Sequence, residues 1–144
     1  MATLHLDCPS CGQSATVQVV QAIGFENSLQ WSEATVCQSC GYTVEADDMG
    51  FPPTQYRDSI LKHEGVWCIR IEDVKSKVQV ARVFRHSLDL SLGEGLKISK
   101  RIPGVVWSGT ECEVDWLRNT LSEHGIDSVK ERYLSSKQNN PTET

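Results

Sequence analysis

Trp67-Cys68-Ile69-Arg70-Ile71-Glu72 and Lys77-Val78-Gln79-Val80-Ala81-Arg82-Val83-Phe84-Arg85 decide the fold of the larger part of this 144-residue chain. The first alternates apolar and polar side chains, the period of a half-buried strand. In the second, Val80, Val83, Phe84 and then Leu88 recur at three- and four-residue intervals. That is the apolar stripe of an amphipathic helix, with Lys77, Arg82 and Arg85 on its other side. Working outward, residues 92–101 read as a second helix that stops before Pro103-Gly104. Thr110 and Glu113 have the T-x-x-E spacing of a capping box and open a third helix. Its core side carries Val114, Leu117 and Leu121, and Gly125 ends it. Residues 127–133 close the stretch as a strand. The predicted order is strand, helix, helix, helix, strand, with the Pro-Gly pair as a break.

Ahead of this stretch lie Cys8-Pro9-Ser10-Cys11-Gly12 and Cys37-Gln38-Ser39-Cys40-Gly41. Two thiolates three positions apart can share one tetrahedral ion if the backbone turns tightly between them, and a following glycine permits that turn. Two such pairs supply four donors: Cys8, Cys11, Cys37 and Cys40. They predict one structural Zn2+ with no open position for water. Between the pairs, residues 15–20 and 34–36 are β-prone, with a turn at 24–27. His5 is assigned to a first strand over residues 3–6 rather than to the metal. The segment reads as a zinc ribbon, two knuckles joined by a hairpin. A piece this short buries little apolar surface by itself, so the metal is expected to supply its folding energy.

The fold class is therefore α+β: a small β zinc ribbon (residues 1–50) followed by a β-α-α-α-β domain (67–134). Residues 51–66 form a linker with a short helix from Thr54, whose apolar stripe of Tyr56, Ile60 and Leu61 is expected to dock on a neighbouring domain. Residues 135–144 are polar and expected to be disordered.

In this order the stretch 67–133 resembles the C-terminal domain of the bacterial ribosomal stalk protein, a fold that the Clp protease substrate adaptor is also similar to. The resemblance implies a protein-docking face on the first two helices and the turn between them. At matching positions Lys77, Val78, Arg82 and Arg85 keep the basic and apolar character, and Leu92 and Glu94 match as well. The turn departs from the family, with Asp89-Leu90-Ser91-Leu92 where the family carries Gly-Leu-Gly-Leu. Leu96 stands where the family has a lysine, and Lys97 is shifted by one. The family's helical dimerisation region has no counterpart here. The implied partner-binding residues are Lys77, Val78, Arg82, Arg85 and Leu92.

Charge sharpens this division. The net charge is −5, yet residues 1–50 hold six acidic residues and no Lys or Arg. Residues 75–101 hold seven basic side chains against Asp89 and Glu94. An acidic ribbon is a poor binder of polyanions, which need Lys and Arg to displace counterions, so nucleic acid is not the expected partner of that segment. The basic helical face reads as a docking surface for an acidic protein or for the acidic ribbon of another copy, or else simply as a solvated face. Phe25 and Trp31 on the hairpin are assigned to packing ahead of partner contact.

No phosphate-cradling glycine loop, H-E-x-x-H or G-x-S-x-G is present. Cys68 and Cys112 are unpaired and read as packing residues; His86 and His124 sit near helix ends. The chain is expected to be non-enzymatic. No apolar run approaches the ~18 residues of a membrane span, and residue 1 is not followed by a basic, apolar leader. A cytoplasmic protein of bacterial type is expected, where paired cysteines serve metals rather than disulfides. Three functions fit: an adaptor or regulator docking on translation or proteolysis machinery, an immunity or antitoxin-type protein covering a basic toxin, and a nucleic-acid binder using the basic helices.

Overall fold

The computed structural model describes residues 1–133 and is a mixed α/β structure with two antiparallel sheets and four helices. Residue 134 and the tail expected to be disordered lie outside the described residues. The chain divides into one unit at Met1–Glu64 and a second from Gly65 onward.

The first unit is a four-stranded sheet, β1 (Ala2–Asp7), β2 (Ser14–Gly24), β3 (Ser28–Val36) and β4 (Thr43–Met49), in that spatial order. Strand periodicity puts Ala15, Val17 and Val19 of β2 on one face, and all three are buried. Register aligns Ala2 with Val19 and Leu4 with Val17 on the same face. A helix, α1 (Thr54–Glu64), lays Tyr56 and Ile60 against Ala2, Val17 and Val19, with Leu4, Leu6 and Trp31 at the margin. Residues 51–64, expected as a linker, therefore belong to the first unit. The Tyr56–Ile60 stripe covers the apolar face of a sheet that would otherwise meet water. The hairpin is also longer than expected, with Trp31 inside β3 and in edge-to-face contact with Tyr56 (centroids 5.8 Å apart). Residues 45–49, in which no strand was expected, form most of β4. Every residue of β4 is exposed, so no apolar alternation marks it. It is a strand because its backbone pairs with β3 from Gln30↔Met49 to Val36↔Thr43, and its acidic side chains suit an edge that must resist further pairing.

The Tyr56 hydroxyl donates a hydrogen bond to the Glu33 carboxylate. Burial, reinforced by that carboxylate, pushes the Tyr56 phenol up to about 12. An unfolded phenol titrates near 10. The folded unit thus keeps a proton that the unfolded chain loses, and this stabilisation is complete below pH ~10 and is lost as pH rises towards ~12. Denaturant midpoints of the first unit should fall across that window in the native chain, and Tyr56→Phe should flatten this part of the fall. An unchanged slope in Tyr56→Phe would refute the assignment.

The second unit runs β5 (Trp67–Ile71), α2 (Lys77–Leu88), α3 (Leu92–Ser99), β6 (Gly104–Gly109), α4 (Glu111–Glu123) and β7 (Val129–Arg132). Its sheet order is β6-β5-β7, all antiparallel. The expected β-α-α-α-β order omitted β6. The Pro-Gly pair does break the chain, but Gly104, at φ 134°, turns it into a new strand. Val105-Val106-Trp107, a β-branched and aromatic run, then pairs with β5. The core joins Ile69, Ile71 and Val106 of the sheet to Val80, Val83 and Phe84 of α2, Ile98 of α3, and Val114, Leu117 and Leu121 of α4.

Helix ends follow the local chemistry. The Ser76 hydroxyl accepts from Gln79 N–H (3.2 Å) at the start of α2. The expected Thr110–Glu113 capping box forms at α4, with Thr110 N–H to Glu113 Oε1 at 3.0 Å and Glu113 N–H to Thr110 Oγ1 at 3.1 Å. A second box, Ser91–Glu94, starts α3 (2.9 and 3.1 Å). Helices α2 and α3 pack closely at Gly95, where a Cβ would sit 2.9 Å from the Ala81 carbonyl oxygen.

Candidate metal centre

The four cysteines meet at one end of the first sheet. Cys8 follows β1 and Cys37 follows β3, so the β1–β2–β3 pairing brings the two C-x-x-C turns side by side. The turns are built alike. Gly12 N–H donates to the Cys8 carbonyl and Gly41 N–H to the Cys37 carbonyl, both at 2.9 Å. Cys8 N–H reaches the Gln13 carbonyl at 2.7 Å, and Cys37 N–H the Tyr42 carbonyl at 2.8 Å. Gly12 and Gly41 both have φ near +80° (80° and 79°), which confirms the need for glycine after each second cysteine. Gln13 and Tyr42 were not singled out in the sequence, because their part is played by backbone carbonyls that any residue supplies. Tyr42 also packs beside Cys8, Ala15 and Cys37.

The four Sγ atoms lie within 4.8 Å of one another. Cys8 to Cys40 is 3.7 Å and Cys11 to Cys37 is 3.6 Å. A tetrahedral ion with metal–sulfur bonds of ~2.3 Å sets its sulfurs ~3.8 Å apart, so the cluster could hold a single metal ion. Cys8 and Cys37 are buried while Cys11 and Cys40 are exposed, leaving a path for the ion to enter. Ser10 N–H points at Cys8 Sγ (3.3 Å), the outer-shell donor that a thiolate ligand needs.

Protonation within the cluster is uneven. The backbone N–H of Cys40, helped by that of Ser39, lowers the Cys37 thiol to about 7. For Cys11 the Gln13 backbone works to lower the value, but desolvation and the thiols of Cys37, Cys40 and Cys8 together push it up to about 12. Four crowded thiols cannot all ionise without a cation among them, whereas a divalent ion displaces their protons outright.

His5 lies exposed on β1 and is not part of the cluster. Cys68 is buried in β5 and Cys112 half-buried in α4. Of the residues implied as a partner face, Lys77, Val78, Arg82 and Arg85 are on α2 and Leu92 opens α3, and all five are exposed. No described helix is long and apolar enough to cross a membrane. In comparisons with known proteins, the chain matches no family model, no curated protein and no solved structure.

Proposed function

We propose that this chain is a non-enzymatic, cytoplasmic protein-interaction module: a zinc ribbon followed by a stalk-like domain that acts as an adaptor or regulator. One Zn2+ held by Cys8, Cys11, Cys37 and Cys40 has a structural role, because four thiolates leave no position for water or substrate. Docking uses α2 and the start of α3. The observation that carries this reading is the exposure of Val78 (59%) and Leu92 (58%), with Lys77, Arg82 and Arg85 exposed on the same helix as Val78. None of these three cations forms an ion pair among the described residues. Exposed apolar side chains together with exposed cations that form no ion pair suit an acidic protein with an apolar anchor, the charges setting specificity and on-rate. Translation or proteolysis machinery is the proposed setting, which rests on the sequence resemblance of residues 67–133 to the stalk domain.

A second reading rests on the other unit. Glu45, Asp47 and Asp48 are exposed on β4, in a segment without Lys or Arg. That surface suits an immunity or antitoxin-type protein that neutralises a basic toxin. Charge reversal separates the two. The partner captured from the source cells is purified and its affinity measured against the native chain, the Arg82→Glu/Arg85→Glu variant and the Glu45→Lys/Asp47→Lys variant. The adaptor reading expects the arginine variant to lose about a hundredfold or more in affinity, roughly tenfold per charge, with the β4 variant near native. The reverse pattern supports neutralisation and overturns the adaptor reading.

A further inference from the structure

A concavity of about 320 Å³ lies between α2 and the end of α4. Positions 79, 82, 83 and 86 of α2 line it from one helical face, as the i, i+3, i+4, i+7 spacing requires. Val83, buried, forms an apolar floor. Arg82 and His86 are exposed at the wall and make no hydrogen bond or ion pair among the described residues. Opposite stand Thr120 and His124. His124 Nδ1 is tied to the Thr120 carbonyl at 2.9 Å, which leaves Nε2 as the nitrogen free to meet a ligand. Gln79 Nε2 reaches the His124 carbonyl at 3.4 Å, linking the two walls.

The lining contains no Asp or Glu. It offers one fixed cation, two imidazoles and the Ser87 hydroxyl over a largely apolar surface, the Thr120 hydroxyl donating to the Trp116 carbonyl (3.2 Å). A guanidinium forks onto a carboxylate with two parallel hydrogen bonds. A phosphate, carrying nearly two charges, calls for more than one fixed cation. The size is that of a small-ligand pocket. We propose that this cavity binds a carboxylate carried on a compact apolar group, with Arg82 as charge partner and Val83 beneath the apolar part. Such a group is found on the C-terminal residue of a polypeptide or on a free small acid. The site goes beyond the docking face proposed above. Arg85 and Leu92 do not line it, so either proposal can fail alone.

The test is an amide chemical-shift titration of the full metal-loaded chain with N-acetyl-L-leucine, N-acetyl-L-leucinamide and inorganic phosphate. The expected result is saturable shifts at Gln79, Arg82, Val83 and Thr120 with the acid alone. Arg82→Gln should weaken that binding about tenfold or more, while Arg85→Gln leaves it unchanged. Arg82 is exposed, and unchanged β5–β6 resonances certify that the variant is folded. Equal shifts with the leucinamide, the same pattern with phosphate, shifts centred outside the cavity, or full affinity in Arg82→Gln would each overturn the proposal. A short peptide ending in leucine, with free and amidated ends, assigns the source. Tighter binding of the free-ended peptide than of N-acetylleucine points to a polypeptide terminus, and equal binding points to a small acid.

Discussion

Stripping the metal, or replacing Cys37 with serine, is expected to unfold the first unit and leave the second folded. Apart from the cysteine end, the first unit is held by Ala2, Val17, Val19, Tyr56 and Ile60, with Leu4, Leu6 and Trp31 partly covered. The cysteine end has only Cys8, Ala15 and Cys37 with Tyr42 beside them. A 64-residue unit sits near the lower limit at which burial alone sustains a fold. Binding by four thiolates contributes on the order of 10–16 kcal/mol, more than the ~5 kcal/mol a small domain has to spare. The helix α1 adds Tyr56 and Ile60 to the core of the first sheet. Cys37 is the most telling position, being buried and directly after β3. In amide correlation spectra of the full chain, chelation should collapse the dispersion of Val17, Val19 and Leu29 while those of Ile69, Val106 and Leu117 persist. A first unit that stays dispersed with its metal content at zero would refute the claim.

Phe84→Ala should do the converse. Phe84 is fully buried in the second core, in one cluster with Val80 and Val83 of its own helix and with residues of β5, β6, α3 and α4. Truncating a buried phenylalanine costs about 3–5 kcal/mol through lost transfer energy and the cavity left behind. That approaches the whole stability of a domain this size, so the second unit should be largely unfolded near physiological temperature. Three of the four tryptophans, Trp67, Trp107 and Trp116, lie in that unit, and Trp31 lies in the first. Fluorescence-monitored denaturation should therefore lose its major transition, while metal content stays stoichiometric. Val78→Ala, on the exposed side of the same helix, serves as the control and should shift stability by less than about 0.5 kcal/mol. Equal effects of the two substitutions would mean that α2 is not anchored by its buried side.

The proposed docking face rests on the core of the second unit. Lys77, Arg82 and Arg85 are exposed on α2, whose Val80, Val83 and Phe84 are buried, and Leu92 is placed by the close approach of α3 at Gly95. Loss of the Phe84 anchor should abolish docking without touching any docking residue. Loss of the metal should leave docking intact if the adaptor reading holds, and remove it if β4 carries the interaction.

What the sequence determined by itself was the chemistry set by short-range spacing. The two C-x-x-C-G turns name their four sulfurs because each turn is closed by its own backbone within five residues. The α2 stripe and the Thr110–Glu113 box were legible for the same reason: a helix and its cap are written at intervals of three and four. Tertiary structure alone decided the features that depend on distant partners. β4 is a strand only because β3 lies beside it, since its fully exposed acidic residues carry no period to read. β6 hid behind the Pro-Gly break that introduces it, and its pairing partner β5 lies more than thirty positions earlier. α1 read as part of a linker until the apolar face of the first sheet gave Tyr56 and Ile60 something to cover. The cavity beneath Arg82 exists only where α4 ends against α2, and no interval along the chain records that meeting.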